Sequence, residues 1–333
     1  MPKCSICDKK FDTLSALREH HRAVHPKQKF IAPKSTLSRN LIVGLIIVII
    51  VIGSLVGYLI YVQSQQKPIP VQTGLLNQNI STALYDNLTT VSSSTLTTVG
   101  TGGVSANTIT PISGSPLTNQ GKPEILYIGA EYCPYCAAER WSMIVALSKF
   151  GNFTGIQYMQ SSSTDTFPNT ATFSFLGANY TSQYISFVSV EQLDRNHNPL
   201  QTVSPSQQAL WSQYDSSGSI PFIDIGNQYS IVGSQYEPST LANLNWTQIG
   251  SQLNNPNSAV GKAIDGSANY LITMICKLDG RLPSSVCGQS YATLNVDFNT
   301  TAGAAANSLA NLASFPSVQS VSYNEMKLRP LSA

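Results

Sequence analysis

The chain reads as an α/β protein, with a body over residues 74–333, an apolar membrane helix over 41–62 and a small ββα unit over 1–28. Three observations lead there. From Lys122 onward, short apolar runs alternate with helix-period stretches, the pattern of strands and helices packed in layers. Residues 41–62, LIVGLIIVIIVIGSLVGYLIYV, carry no charge. The first 25 residues hold a Cys/His spacing that suits a tetrahedral metal.

The head comes first. Cys4-x2-Cys7 is followed by His20-x4-His25. Zn²⁺ takes four soft or borderline ligands, and two thiolates with two imidazoles supply them. Phe11 and Leu17 furnish an apolar core too small to fold alone, so the metal supplies the remaining folding energy. His21 is the alternative to His20, but the spacing from Leu17 favours His20. The pattern resembles the C2H2 zinc finger at every ligand and at both core positions. That resemblance implies Zn²⁺ as cofactor. A single finger reads only about three base pairs, and Thr13 to Ala16 with Glu19 offer few base-reading groups. The expected role is contact with a cytoplasmic protein. Weak nucleic-acid binding through the basic face and plain capping of the anchor are the alternatives.

Charge sets the expected orientation. Residues 1–40 hold nine Lys/Arg against three acids, and residues 29–40 form a basic linker. The uncharged run is long enough, at about 1.5 Å per residue, to cross a bilayer core. A signal peptide would have a shorter apolar region nearer the N-terminus. Basic residues before the run place the N-terminus in the cytoplasm. The expectation is a single-pass protein of the cell membrane, with the lipid bilayer as a partner and the body outside. Six Asn-x-Ser/Thr sequons, at Asn79, Asn87, Asn152, Asn179, Asn245 and Asn299, all lie beyond the anchor and are candidate glycosylation sites. Gly53 and Gly57 form a GxxxG pair suited to a homodimer of helices.

Residues 63–73 read as a spacer. Tyr85, Leu88, Val91 and Leu96 recur at near-helical spacing, against the alternative of a Ser/Thr stalk. Gly, Pro and Asn then punctuate short strands up to Pro123. ILYIGA (125–130) is a buried-strand run, and a helical stretch opens at Cys133 and runs through Phe150. GIQYMQSSS (155–163) reads as a strand, and 164–218 as a mixed insertion. SIPFIDIG (219–226) and YSIVGS (229–234) form a hairpin; 239–253 and 258–276 are helical, and the tail after 298 adds a helix.

The stretch EYCPYCAAER puts Cys133 at a strand-to-helix junction. Free N–H groups and the helix dipole there favour a negative sulfur, which raises the thiolate fraction. Pro134 suits the first helical turn. Cys136, one turn on, is placed to resolve a mixed disulfide formed by Cys133. A metal site here would need two more ligands, and outside the head only His197, Cys276 and Cys287 could give them.

GAEYCPYCAAERW resembles the active-site junction of the thioredoxin superfamily. Ile220-Pro221, followed by a hairpin and a helix, is similar to that family's cis-proline strand. The layout as a whole resembles an archaeal family of membrane-anchored thioredoxin-like proteins of unknown function. The resemblance implies a thioredoxin-like fold with an insertion between the CxxC helix and the cis-Pro strand. It also implies Pro221 and the backbone of Ile220 as the substrate-strand contact, with Tyr132, Pro134 and Tyr135 around it. Two positions depart from the family: Tyr127 stands where a buried acid is usual, and Trp141 where a kinking proline is usual. The first departure favours an oxidase or isomerase over a reductase.

Cys276 and Cys287 bracket ten residues, and outside the cytoplasm a structural disulfide between them is the default expectation. A second redox pair relaying electrons to Cys133/Cys136 is the alternative. The function expected is therefore an anchored extracytoplasmic thiol–disulfide oxidoreductase, with client proteins and a redox partner of its own. The competing expectation is a non-catalytic surface protein whose cysteines are staples.

Overall fold

A computed structural model describes residues 1–32, 39–65, 72–278 and 280–296 of the chain. It divides into two compact units, Met1–Lys67 and Pro68–Ala333. In the first, helix α1 (Leu14–Val24) is N-capped by Thr13, whose hydroxyl accepts from the Ala16 amide. Leu17 of α1 and Cys4 ahead of it are buried. The two strands expected before α1 are reduced to one antiparallel bridge between Lys3 and Lys10. Too few residues separate them to build more than one rung.

Helix α2 runs Arg39–Gln65. The expected membrane-crossing helix is corrected: among the described residues no helix is long and apolar enough to cross a membrane.

The second unit opens with α3 (Thr82–Thr89) and α4 (Ser93–Val99). Ser81 and Ser92 cap them through their side chains. The single periodic stretch thus splits: Thr90 is the C-cap of α3, and Ser92 caps the start of α4. Leu84, Leu88 and Leu96 point into the core.

A six-stranded mixed sheet holds the body. Its strands are β1 (Ile109–Pro111), β2 (Thr118–Asn119), β3 (Lys122–Gly129), β8 (Ser186–Glu191), β9 (Phe222–Ile225) and β10 (Tyr229–Val232). The order is β1-β10-β9-β3-β2, with β8 also on β3. Among the described strands only β3 and β8 are parallel, Ile125 lying opposite Phe187. Helix α5 (Pro134–Leu147) comes directly after β3. Two detached antiparallel ribbons occupy much of the segment between α5 and β8. They pair β4 (Gly151–Thr154) with β7 (Asn179–Ser182), and β5 (Gln157–Gln160) with β6 (Ala171–Ser174).

Side-chain alternation along β3 gives the sheet two apolar faces. Ile125 and Tyr127 join the main core with α3, α4, α5 and α8 (Ala259–Leu278). Leu126 and Ile128 face the smaller core closed by Trp211 of α6 (Pro205–Tyr214) and by Phe222. Helix α8 is buried from Val260 through Ala268 to Cys276 with few breaks, and packs on α5. The single helix expected over 239–253 is instead a 3₁₀ turn, Pro238–Leu241, and α7 (Trp246–Gly250), because Asn245 caps the latter. Helix α9 (Ser284–Cys287) and a 3₁₀ turn, Ser290–Ala292, end the described part of the unit; the expected tail helix and Asn299 lie outside the described residues.

The body is therefore mixed α/β with a mixed sheet, and this replaces the thioredoxin-like fold expected from the junction motif. The reason is range. A strand–CxxC–helix and an Ile-Pro hairpin fix geometry over a dozen residues each. The rest of the sheet is built from strands outside them: β1 and β2 from residues 109–119, with the two ribbons standing apart.

Candidate redox site and metal cluster

Strand β3 ends at Gly129, and the chain turns through Ala130–Tyr132 into α5. Cys133 is the N-cap: its sulfur accepts from the Cys136 amide at 3.2 Å, and Pro134 fills the first turn. The Cys133 thiol lies 3.7 Å from the Ile220 carbonyl, to which it donates. Ile220–Pro221 is a cis peptide just ahead of β9. Two distant segments, Cys133–Cys136 and Ile220–Pro221, thus meet at one end of the sheet. Both cysteines are free thiols here. Cys133 is 5% exposed and Cys136 fully buried.

The two sulfurs are electrostatically unequal. The Cys136 thiol, donating to Cys133, holds the Cys133 thiol below the ordinary range; burial opposes this, and the Cys136 amide and the Arg140 charge reinforce it. Burial pushes the Cys136 thiol well above that range, and its bond to Cys133 adds to the effect. The pair is thus divided into a more acidic outer sulfur and a less acidic inner one, the division a nucleophile and a resolving thiol require.

Around the pair, Tyr135 is 37% exposed and its ring meets Phe167 edge-on at 6.1 Å. Tyr132 stacks on His197 at 4.2 Å. Pro134 is buried and Ile220 half-buried. Behind the pair, Arg140 and Glu191 form a fully buried ion pair at 2.6 Å. Sequence reasoning missed both residues. The available signal was an arginine one turn after Cys136, in a chain with only 11% charged residues. Tyr127 is fully buried with its hydroxyl unpartnered, and Arg140 lies 5.6 Å from its ring centre. Trp141 is also buried, its indole N–H donating to the Ala171 carbonyl at 2.9 Å. Glu131 accepts from Ser174 at 2.5 Å. Glu139 is fully buried and accepts from the Gln235 amide at 3.1 Å. Burial raises the Glu139 carboxyl to about 7.

Cys276 and Cys287 are joined in a disulfide with Cα atoms 5.4 Å apart, and both are fully buried. Of the sequons, Asn79, Asn152 and Asn179 are exposed, and Asn87 and Asn245 half-buried. On α2, Gly53 and Gly57 have open space where a side chain would start.

In the first unit the ligand atoms of Cys4, Cys7, His20 and His25 all lie within 4.8 Å of one another. Cys7 Sγ and His20 Nε2 are 3.2 Å apart, and His25 Nε2 is buried without a hydrogen-bond partner. Two sulfurs and two ring nitrogens at such spacing fit Zn²⁺, with bond lengths near 2.3 and 2.0–2.1 Å. His21 lies outside that group, its ring against Phe30 at 5.2 Å.

No curated protein and no solved structure matches the chain. One family model does, described as a domain of unknown function (DUF929), over residues 108–277. That span runs from the start of β1 nearly to the end of α8, and so includes Cys133, Cys136, Ile220 and Pro221. Covering just over half of the chain, the match makes the protein a member of the DUF929 family.

Proposed function

We propose that the body is a protein thiol–disulfide oxidoreductase, with Cys133 as nucleophile and Cys136 as resolving thiol. The observation that carries this is the placement of the Cys133 sulfur. It caps α5, accepts the Cys136 amide at 3.2 Å, and lies 3.7 Å from the Ile220 carbonyl. A client disulfide reaching this point meets a nucleophile, a nearby second thiol and a backbone strand end. The likeness of EYCPYCAAER to the junction of thioredoxin-superfamily enzymes supports the chemistry independently of the overall fold. The Cys276–Cys287 disulfide supports a working compartment that is oxidising. The clients are proteins with thiols or disulfides.

Refolding of a reduced, disulfide-containing protein is the test. The chain should accelerate it, Cys133→Ser should not, and Cys136→Ala should accumulate a mixed disulfide with the client. Identical rates with the wild type and Cys133→Ser would remove the enzyme reading.

A second reading rests on the 5% exposure of Cys133. In it the body binds a partner and the CxxC pair is a staple. Alkylation separates the two readings: rapid labelling of Cys133 in the native, reduced chain supports catalysis, and protection until unfolding supports the staple.

The first unit would hold Zn²⁺ through Cys4, Cys7, His20 and His25, and serve as a contact module for a protein partner. Cys7→Ser in the full chain should reduce bound zinc from one equivalent to well below that by elemental analysis. Unchanged zinc would place the metal elsewhere.

A further inference from the structure

Arg140 stands one helical turn beyond Cys136 on α5, and i,i+4 residues share a helix face. It is fully buried. Its Nε and Nη2 donate to the Glu191 carboxylate at 2.9 and 2.6 Å, and Nη2 also donates to the Ala130 carbonyl at 2.8 Å. The same carbonyl accepts from the Cys133 amide at 3.3 Å. The guanidinium is therefore tied to the turn that carries the nucleophile. Glu191 takes the Nε–Nη2 edge, and Nη1 is buried with no hydrogen-bond partner among the described residues. A buried charged N–H group without an acceptor is costly to keep. It calls for a function that supplies an acceptor at some stage. Tyr127 offers only its ring face to the guanidinium. The turn that carries Cys133 is thus backed by a cation and an aromatic face.

We propose that Arg140 is a positioning residue for thiol–disulfide exchange: its buried charge favours departure of Cys136 as a thiolate and makes the pair an oxidant of client dithiols. The proposal rests on reading Cys133 and Cys136 as a redox pair. In the step concerned, a client thiolate attacks Cys133 of the enzyme disulfide. The Cys133–Cys136 bond breaks, and its electron pair leaves on Cys136. A second client thiolate then attacks the client sulfur of the mixed disulfide, and Cys133 leaves as a thiolate. The client gains a disulfide and gives up two electrons and two thiol protons. Cys133 and Cys136 accept the electrons, and the protons pass to them or to water. A fixed positive charge one helical turn from the leaving sulfur stabilises the reduced pair and so shifts the balance toward client oxidation.

The full-length chain, equilibrated with mixtures of reduced and oxidised glutathione, tests this by the fraction of Cys133–Cys136 disulfide, read by alkylation and mass. Arg140→Gln should shift the equilibrium at least tenfold toward the disulfide, which is about 30 mV toward a more reducing couple. Glu191→Gln, which removes the neutralising carboxylate and keeps the cation, should shift it the opposite way. Arg140→Lys, which keeps a cation but gives up the bidentate fork to Glu191, should fall between Arg140→Gln and wild type. A purely structural ion pair would move both glutamine variants in one direction or neither, and that result overturns the proposal. Should Arg140→Gln fail to fold, Glu191→Gln decides alone: a shift toward the dithiol supports the proposal, and none overturns it. If the wild-type chain forms no reversible Cys133–Cys136 disulfide in any mixture, the redox reading itself fails and takes this one with it.

Discussion

Gly266 lies inside α8, where alanine would ordinarily stabilise a helix by about 1 kcal/mol. Here a Cβ would come within 2.3 Å of the Thr101 carbonyl oxygen, which is backbone and cannot swing aside. Gly266→Ala is therefore expected to lower the denaturant midpoint, by about 1–3 kcal/mol in stability, as overpacking does. A stabilised variant would show that the 101–102 turn yields easily. The same contrast between local and distant causes runs through the candidate site. Cys133, Pro134 and Cys136 were legible because their roles depend on neighbours three residues away. Arg140 and Glu191 were not, because they are 51 residues apart and meet only when β8 aligns with β3. Nor was the setting of Glu139, whose partner is the Gln235 amide, 96 residues on.

Among elements, α5 and α8 decide the core. Both were visible as helical stretches, and their apolar periodicity placed their ends within a few residues. Helix α5 stops at Leu147 rather than Phe150, and α8 runs Ala259–Leu278. The disulfide governs the path of the chain beyond α8. Cys287 is bonded to Cys276 near the end of α8, and Tyr291, Ala292 and Val296 beyond it are buried. The Tyr291 carbonyl accepts from Thr273 at 3.4 Å, returning the chain to the helix it left. Closing this loop restricts the unfolded chain by about 3 kcal/mol. The double variant Cys276→Ser/Cys287→Ser should lose about that much in urea unfolding and keep the reactivity of Cys133. Loss of Cys133 reactivity without loss of stability would instead favour a relay between the pairs.

The whole molecule carries few charges, and among the described residues Asp224, Glu139 and Asp265 are buried outside any salt bridge. Burial raises Asp265 to about 8, against the opposing influence of Lys149, and both its oxygens are unpartnered. Asp224 is raised to about 7, mainly by burial, and Glu139 likewise to about 7. Each carboxyl stays protonated in the folded chain at pH values where the unfolded chain, with ordinary values near 4, has released the proton. Protons are then bound more by the folded state, so stability falls as pH rises. The contribution is fully present below about pH 4 and declines as pH climbs toward 7–8. Urea midpoints should be higher at pH 5 than at pH 8, and Asp265→Asn should flatten the difference. Equal midpoints in the wild type would contradict the burial argument.

The sequence alone determined the local pieces: the Cys/His set of the head, the strand-to-helix placement of Cys133, the helical stretches that became α5 and α8, and the Cys276/Cys287 pairing. Each rests on spacing within one turn, one strand or one short loop, where covalent geometry leaves few choices. Only the tertiary structure decided the sheet's composition and the buried Arg140–Glu191 pair behind the thiols. Those depend on which distant surfaces exclude water together, and desolvation is a property of the folded whole that no short window of residues contains.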